Sequence, residues 1–316
     1  MRHSTFRQLE IFEAVARLSS FRRAAEALFL SQPTVSMQVS KLSETVGAPL
    51  FEQIGKRIFL TEAGRELLVV TREIFDQLRR FEMTLNDMRG LKSGSLRLAA
   101  VTTAKFFVPR LLGVFCQRFP GIDVALKVSN RERILERLAD NRDDLYVLGE
   151  PPEDIDVEAE PFLENPLVPF AAANHPLAGE KTISLARFAQ EPFLMREPGS
   201  GTRMAVGRLL AAHGLKVHVR MELGSNEAIK QAVIGGMGVT VLSRHTLPSA
   251  DLLRNVAILN VEHFPIQRAW YVVYPCGKRL SKVAETFRDY MLTEAGRFVG
   301  VSADGGEGAS SPVGSG

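Results

Sequence analysis

The chain has 316 residues, with 39 basic and 36 acidic side chains and a formal net charge of +3 at pH 7. It contains two cysteines, too few for a disulfide framework, and no apolar run of 18 residues that would cross a membrane. The first residues, MRHSTFRQLE, lack the features of a signal peptide or an anchor. We therefore expect a soluble, cytoplasmic protein without membrane contact, in which Cys116 and Cys276 are incidental thiols rather than a redox pair.

The positive charge is concentrated near the start of the chain. Residues 1–60 hold eight Lys or Arg and five Asp or Glu, so the remaining residues are neutral as a set. Positive charge collected in one segment attracts the phosphates of nucleic acids. The first sixty residues are therefore the part of the chain in which a nucleic-acid-binding fold is expected.

Apolar spacing predicts three helices in this basic segment, over residues 5–18, 21–28 and 32–46. Ser31 is a suitable N-cap for the third helix, and Gly47 is a suitable end for it. The tight connection between the second and third helices is typical of a helix-turn-helix. Residues 50–60 then alternate loosely around two basic side chains, which predicts a small hairpin, or wing. Residues 1–61 are thus expected to form a winged helix-turn-helix DNA-binding domain.

The third helix has the pattern of a recognition helix. Val35, Val39 and Leu42 form one narrow apolar stripe, and the opposite face begins with short polar side chains that suit base edges in a major groove. The alternative interpretation is an ordinary helical subdomain with a solvated basic surface. If the domain binds DNA, the expected contact residues are Arg22, Arg23, Gln32, Pro33, Thr34, Ser36, Met37, Lys41, Lys56 and Arg57.

A long helix is predicted over residues 62–90, followed by a short polar hinge at 91–95. Its apolar positions recur in heptads, which a single helix cannot bury against itself, so a helix from a second subunit is the expected partner. The alternative is packing against the helix's own wing. The residues expected to mediate dimerisation are Leu67, Ile74, Leu78, Phe81 and Leu85.

From residue 96 the pattern changes to alternating strands and helices, which predicts an effector-binding domain of two α/β lobes at 96–299. Lobe I is expected to comprise about 96–163 and 267–299, and lobe II about 164–266, each with a mostly parallel sheet. Residues 300–316 are rich in Gly and Ser and are expected to be disordered. Ligands of such domains bind in the cleft between the lobes, where helices begin after strands.

Three predicted helix starts carry hydroxyl or amide side chains, and one of them also carries glycines and an arginine. Each taken alone fits plain N-capping. Together on one cleft they favour a site for a carboxylate or phosphate, because helix N-termini offer free N–H groups and a partial positive charge. The residues expected to bind the anion are Thr102, Thr103, Ser200, Gly201, Thr202, Arg203 and Asn226.

Several segments resemble a known family. AAEAL at residues 24–28, SQPTVS at 31–36 and LTEAG at 60–64 are similar to the DNA-binding signature of the LysR-type transcriptional regulators. REPGSGTR at 196–203 and WYVV at 270–273 resemble the CbbR group within that family.

This resemblance implies an α/β protein with an N-terminal all-α winged helix-turn-helix and a two-lobed, periplasmic-binding-protein-like effector domain. It also implies a dimer of dimers on an interrupted palindromic operator in double-stranded DNA, with RNA polymerase as a further partner. The target genes would be RuBisCO and Calvin-cycle operons. The effector would be a metabolite of carbon fixation, such as a sugar phosphate, phosphoenolpyruvate or NADPH.

Two other classes of function, an enzyme and a transport receptor, require features of their own. An α/β enzyme with a helical extension needs a nucleophile–base pair, a metal cluster or a cofactor fingerprint, and the sequence contains none of these patterns. A transport solute receptor needs an export signal. We therefore expect no catalytic residues, no metal site and no cofactor.

Overall fold

The computed structural model describes residues 5–55, 57–87, 93–247 and 254–298. The chain divides into two compact units, the first ending at Leu85 and the second beginning at Asn86. Lys56, the hinge residues 91–92 and the tail 300–316 lie outside the described residues. Within the described part, no helix has the length and apolar character needed to cross a membrane.

The first unit begins with three helices and a hairpin. The helices are α1 (Phe6–Leu18), α2 (Phe21–Ala27) and α3 (Gln32–Val46), and the antiparallel strands are β1 (Phe51–Ile54) and β2 (Arg57–Leu60). Side-chain hydroxyls of Thr5, Ser20 and Ser31 cap the three helices, and Gly47 ends α3 with a φ of 82°. Helix α3 begins and ends at the predicted residues, because the N-cap serine and the C-terminal glycine each act within a few residues.

The core of this unit forms where the three helices cross. Val35 and Val39 of α3 pack against Ile11 of α1 and against Ala24 and Ala25 of α2, and all five are buried. The two alanines leave room for α2 to cross closely over its neighbours. The burial of the apolar stripe on α3 leaves its polar face outside the core.

The turn between α2 and α3 contains a side chain in an unusual backbone conformation. Phe29 has a φ of 55°, and its side chain is 95% exposed. A residue with a Cβ is disfavoured in this left-handed region unless, like Asn, it forms local hydrogen bonds. The aromatic ring gains almost no packing energy there to offset the strain.

Replacing Phe29 by Asn is therefore expected to raise the free energy of unfolding by about 0.5–1 kcal/mol. Thermal unfolding of the full chain measures the change. Phe29→Ala is the matched control, because it removes the same exposed ring but retains a Cβ without local hydrogen bonds. Equal stability of the Asn and Ala variants would contradict the assignment of strain.

The residues predicted to mediate dimerisation, which form the dimerisation seam, all lie on the long helix α4 (Glu62–Asp87). They fall into two groups. Leu67 is buried and Ile74 half-buried, in one cluster with Leu42 and Leu50 of the same winged domain. Leu67 therefore contributes to the subunit's own core, as the alternative interpretation had it, and Ile74 does so in part.

The second half of the seam differs from the first. Leu78 is 42% exposed and Phe81 is 61% exposed, while the side chain of Leu85 lies outside the described residues. Large apolar side chains at heptad spacing on an open helix face are typical of a helix–helix interface. The dimerisation role thus remains a proposal for Leu78 and Phe81 in particular.

We expect Phe81→Asp to produce monomers whose winged domain is still folded. In the monomer the new charge would be solvated, whereas in a seam it would be buried without a partner at a cost of several kcal/mol. Sedimentation velocity measures the change. Val69→Asp is the control, because Val69 is 55% exposed and helical spacing places it on the opposite face of α4. A Phe81→Asp variant as dimeric as this control would place the interface elsewhere.

The second unit contains two α/β lobes. Lobe I comprises β3 (Gly94–Val101), α5 (Val108–Arg118), β4 (Ile122–Ser129), α6 (Arg131–Ala139), β5 (Leu145–Leu148), β6 (Val157–Glu164), β12 (Ala269–Pro275) and α10 (Lys282–Glu294). Lobe II comprises β7 (Leu167–Ala172), α7 (Leu185–Ala189), β8 (Phe193–Arg196), α8 (Gly201–Ala212), β9 (Val219–Leu223), α9 (Asn226–Ile234), β10 (Thr240–Ser243) and β11 (Val256–Ile258). A 3₁₀ turn, Thr102–Phe106, lies between β3 and α5.

The sheets are mixed, which corrects the expectation of mostly parallel sheets. In lobe I the strand order is β4-β3-β5-β12-β6, with β3 parallel to β4 and β5 but β12 antiparallel to both of its neighbours. The chain leaves lobe I after β6 and returns from lobe II along β12, so β12 begins at the end of the sheet where β3, β5 and β6 finish. In lobe II, β7 pairs antiparallel with β10 and β11, and β8 pairs parallel with β9.

Among the described helices and strands of the second unit, β6, α7 and β11 have no clear signal in the sequence. Strand β6 has the sequence VEAEPFLE and lies at the edge of its sheet. An edge strand tolerates a proline and several glutamates, because one side of its backbone is unpaired. The helix and the other strand, with five and three residues, are too short to produce a periodic signal.

Candidate functional site

A cleft lies between the two lobes of the second unit. Lobe I contributes residues at the cleft end of its sheet: Thr102 follows β3, Gly149 follows β5, and Asn165 follows β6. Arg131 opens α6, and Arg268 immediately precedes β12. Strand ends therefore gather side chains from distant parts of the chain around one space, as is usual in α/β folds.

Lobe II contributes the start of α8 to the cleft, through Ser200, Gly201 and Thr202. Ser200 occupies the N-cap position, but its side chain makes no capping hydrogen bond. The first N–H groups of a helix have no partner within the helix and carry a partial positive charge. The start of α8 can therefore donate backbone hydrogen bonds to an anion in the cleft.

Three arginines line the cleft, and Arg196 connects its two walls. Arg196 ends β8 in lobe II, and its side chain is 2% exposed. It donates to Oγ1 of Thr102 in lobe I at 3.0 Å, to Oδ1 of Asn226 at 2.5 Å, and to both carboxylate oxygens of Glu197 at 2.7 and 2.8 Å. The charge of Arg196 is thus balanced by Glu197, while its position depends on both lobes.

The other two arginines, Arg131 and Arg268, are both compensated by Glu150, and Arg131 also by Glu153 and Asp154. Arg131 donates to the backbone oxygens of Glu150 and Pro151, and Arg268 donates to the backbone oxygen of Gly201 at 3.0 Å. Burial lowers the pKa of both guanidinium groups, and the charge of Glu150 opposes this effect. Both groups remain cationic near neutral pH, because an arginine pKa starts so far above it.

The lobes touch beside the cleft at a glycine. Gly199 has a φ of 78°, and a Cβ at this position would lie 2.5 Å from Oε2 and 2.9 Å from Cβ of Glu132 in lobe I. The Glu132 amide donates to the Gly199 oxygen at 3.2 Å. A side chain would therefore separate the walls, and glycine allows them to approach. On α9, Glu227 of lobe II pairs with Lys105 of lobe I at 2.5 Å.

The structure brings most of the predicted anion-binding residues together. Thr102, Thr103, Ser200, Gly201 and Thr202 all line the cleft. Asn226, also predicted, does not line the cleft itself, but its Oδ1 accepts a hydrogen bond from Arg196, which does. Whether they bind a ligand remains a proposal.

Arg203 takes a position different from the predicted one. It does not line the cleft; its guanidinium donates to the backbone oxygen of Arg196 at 2.8 Å and pairs with Glu222. Successive residues of a helix are rotated by about 100°, so the side chain after Thr202 turns away from the space that Thr202 faces.

Sequence reasoning missed Arg131, Arg196, Arg268 and Asn165, which all line the cleft. Arg196 ends a strand and Arg131 begins a helix. The sequence pattern therefore indicated both positions as candidates for the cleft. Asn165 and Arg268 lie in the connections between the lobes, where nothing local indicates a site. Among the described residues Asn165 is 2% exposed, and its Oδ1 has no hydrogen-bond partner.

Six of the ten predicted DNA-binding residues lie on the outer face of α3 in the first unit. Gln32, Pro33, Met37 and Lys41 are exposed, and Thr34 and Ser36 are half-buried. The hydroxyl of Thr34 lies 2.8 Å from that of Ser31, the N-cap of α3, so it also supports the start of the helix. The face has no acidic residue before Glu44.

The predicted basic contact residues outside α3 differ in whether their side chains already have partners within the domain. Arg22 pairs with Glu26 at 3.0 Å within α2, and Arg23 donates to the backbone oxygen of Leu18 at the end of α1. Arg57 is exposed on β2 of the wing, and Lys56 lies outside the described residues. Arg23 therefore has a structural role in joining α1 to α2, whatever else it contacts.

Two family models match the chain. One, described as bacterial regulatory helix-turn-helix protein, lysR family, matches residues 6–65, and one described as LysR substrate binding domain matches residues 89–296. The chain belongs to the LysR family of transcriptional regulators. The predicted family, the winged helix-turn-helix and the two-lobed effector domain are confirmed, and the chain is a regulator rather than an enzyme.

Relatives of the LysR chain are similar over nearly its whole length. The transcriptional activator CmpR of Synechocystis sp. is 52% identical, with 92% of this chain and 96% of CmpR covered. A RuBisCO operon transcriptional regulator of Acidithiobacillus ferrooxidans is 49% identical over 99% of each chain. The solved CcmR regulatory domain of Synechocystis PCC6803, in complex with 2-PG, is 52% identical, has a TM-score of 0.63 and covers 67% of this chain and 100% of its own.

For the LysR domain in the first unit, Gln32→Ala is expected to cost about 1–3 kcal/mol of binding free energy on the cognate operator and little on random DNA, because an exposed glutamine can pair with a base edge. Gel-shift titrations with both DNA species measure this. Arg57→Ala is the matched comparison: it should weaken binding to both and reduce the salt slope by about one, as loss of a phosphate contact does. An equal loss on both DNA species for Gln32→Ala would refute base recognition by this residue.

Proposed function

We propose that this LysR-family protein regulates carbon-fixation genes in response to a small phosphorylated carboxylate of the 2-phosphoglycolate class, bound in the cleft between the lobes. The observation that carries the proposal is the lining of the cleft by Arg131, Arg196 and Arg268 together with the uncapped start of α8. The names of the relatives, a RuBisCO operon regulator and CmpR, support the class of target genes. The 2-PG bound to CcmR supports the class of effector.

The chemistry of the cleft suits a ligand with two anionic ends. A phosphate has several acceptor oxygens, which match the convergent N–H groups of a helix start and nearby hydroxyls such as those of Thr102 and Thr202. A carboxylate matches the flat fork of a guanidinium group. Because the cleft contains more cationic than anionic side chains, an anion would also relieve repulsion between Arg131 and Arg268.

The position of the cleft suits a switch. Its walls come from both lobes, and Arg196 already connects them through Thr102. A ligand that contacts both walls favours one relative arrangement of the lobes, and it changes the protein only to the extent that it binds the two arrangements with different affinity. In a dimer of dimers on an interrupted palindrome, such a change would alter the spacing of the DNA-binding domains. It would thereby alter the contact between the DNA-bound regulator and RNA polymerase.

Thr202→Val tests the ligand site, because it keeps the shape of the side chain and deletes its hydroxyl. We expect 2-phosphoglycolate to bind this variant about five- to thirtyfold more weakly, the equivalent of about 1–2 kcal/mol for one lost hydrogen bond to a charged group. Isothermal titration calorimetry measures the affinity. Thr286→Val is the control, since Thr286 does not line the cleft and its hydroxyl donates to the backbone oxygen of Lys282 in the same helix.

Three outcomes of the titrations, and of a DNA footprint with and without ligand, decide between the possibilities. Weaker binding in Thr202→Val but not in Thr286→Val places the ligand at the start of α8. Equal affinity in wild type and both variants would place it elsewhere. A DNA footprint that never changes with 2-phosphoglycolate, in a wild type that binds it, would refute the switch.

A further inference from the structure

Glu150 stands beside the cleft but does not line it. It follows Gly149, which does, and its carboxylate is 36% exposed. Oε2 of Glu150 accepts from Arg268 of the cleft at 3.0 Å and from Arg208 on α8 at 2.5 Å. Burial alone would raise the pKa of Glu150, but the hydrogen bond from Arg208 and the charges of the neighbouring arginines outweigh it and hold the pKa below its usual value. The carboxylate is therefore ionised at neutral pH.

Glu150 faces three guanidinium groups, those of Arg131, Arg208 and Arg268, and two of these line the cleft. The charges of Glu153 and Asp154 also act on Arg131, and that of Glu153 acts on Arg208, but Glu150 is the carboxylate that bonds to Arg268 of the cleft. One of the two donor nitrogens at the end of Arg268 is occupied by Glu150. Glu150 thus cancels part of the positive potential that a ligand in the cleft meets.

We propose that Glu150 determines the charge selectivity of the cleft, by neutralising part of the Arg131–Arg268 charge from behind and so limiting how strongly ligands of high negative charge are favoured. The inference rests on the proposed function of the cleft as an anion site. Coulombic attraction grows with ligand charge, so a carboxylate at this position weakens the binding of a tetra-anion more than that of a dianion.

A competing explanation is purely mechanical. Glu150 follows a strand of lobe I and Arg208 lies on α8 of lobe II, so their contact also connects the lobes. If only this connection mattered, removing either partner would have the same effect on ligand binding. If charge matters, the two removals have opposite effects, because one deletes a negative and the other a positive charge near the ligand.

Glu150→Gln and Arg208→Gln therefore separate the two explanations. The probes are methyl phosphate, 2-phosphoglycolate and propane-1,3-bisphosphate, which carry increasing negative charge, titrated calorimetrically into the full-length protein. We expect Glu150→Gln to bind 2-phosphoglycolate about fivefold more tightly and Arg208→Gln about twofold more weakly. The preference of Glu150→Gln for the bisphosphate over methyl phosphate should increase, and Glu150→Asp, which keeps the charge, should retain the wild-type preference.

Each outcome bears on the inference. Affinity changes of opposite sign in the two Gln variants, growing with probe charge, support it. Changes of the same sign, or a preference unaffected by Glu150→Gln, overturn it while leaving the anion site in place. Failure of the wild type to bind any of the three probes refutes the proposed function, and the inference with it. Thermal unfolding of the variants, compared with wild type, verifies that each is folded.

Discussion

Buried positive charge in the cleft is the constraint around which the second unit is organised. Burying a guanidinium group is costly unless its charge and its donors are satisfied, and this cleft contains three such groups. Arg196 is satisfied by Glu197, Asn226 and Thr102, whereas Arg131 and Arg268 rely mainly on backbone oxygens and share Glu150. The carboxylates of Glu150, Glu153 and Asp154 offset the charge of Arg131, and the lobes are also supported by other contacts.

Contacts outside the arginine cluster supply that support. Gly199 lets the loop before α8 approach Glu132 closely, and Lys105 pairs with Glu227 between the lobes. Both contacts hold the walls of the cleft at a short distance without using the groups that face it. The cleft is therefore kept in shape while the N–H groups at the start of α8 remain uncapped.

The first unit follows a different rule, in which apolar burial decides which surface is left for recognition. Val35 and Val39 fix the inner face of α3, so the polar side chains that follow Ser31 are directed outward. The same rule divides α4: its first turns complete the core of the winged domain through Leu67, and its later turns expose Phe81. One helix thus serves both the stability of a subunit and, as proposed, the assembly of two.

The sequence by itself determined the local elements, because caps and periodicity act over a few residues. Ser31 and Gly47 set the limits of α3, so these were predicted correctly. Only the tertiary structure decided which side chains meet: Arg196 contacts Thr102 from 94 residues away, and Arg268 contacts Glu150 from 118 residues away. The direction of β12, the burial of Leu67 and the turning of Arg203 towards Glu222 likewise depend on packing between distant segments, and no local pattern carries that information.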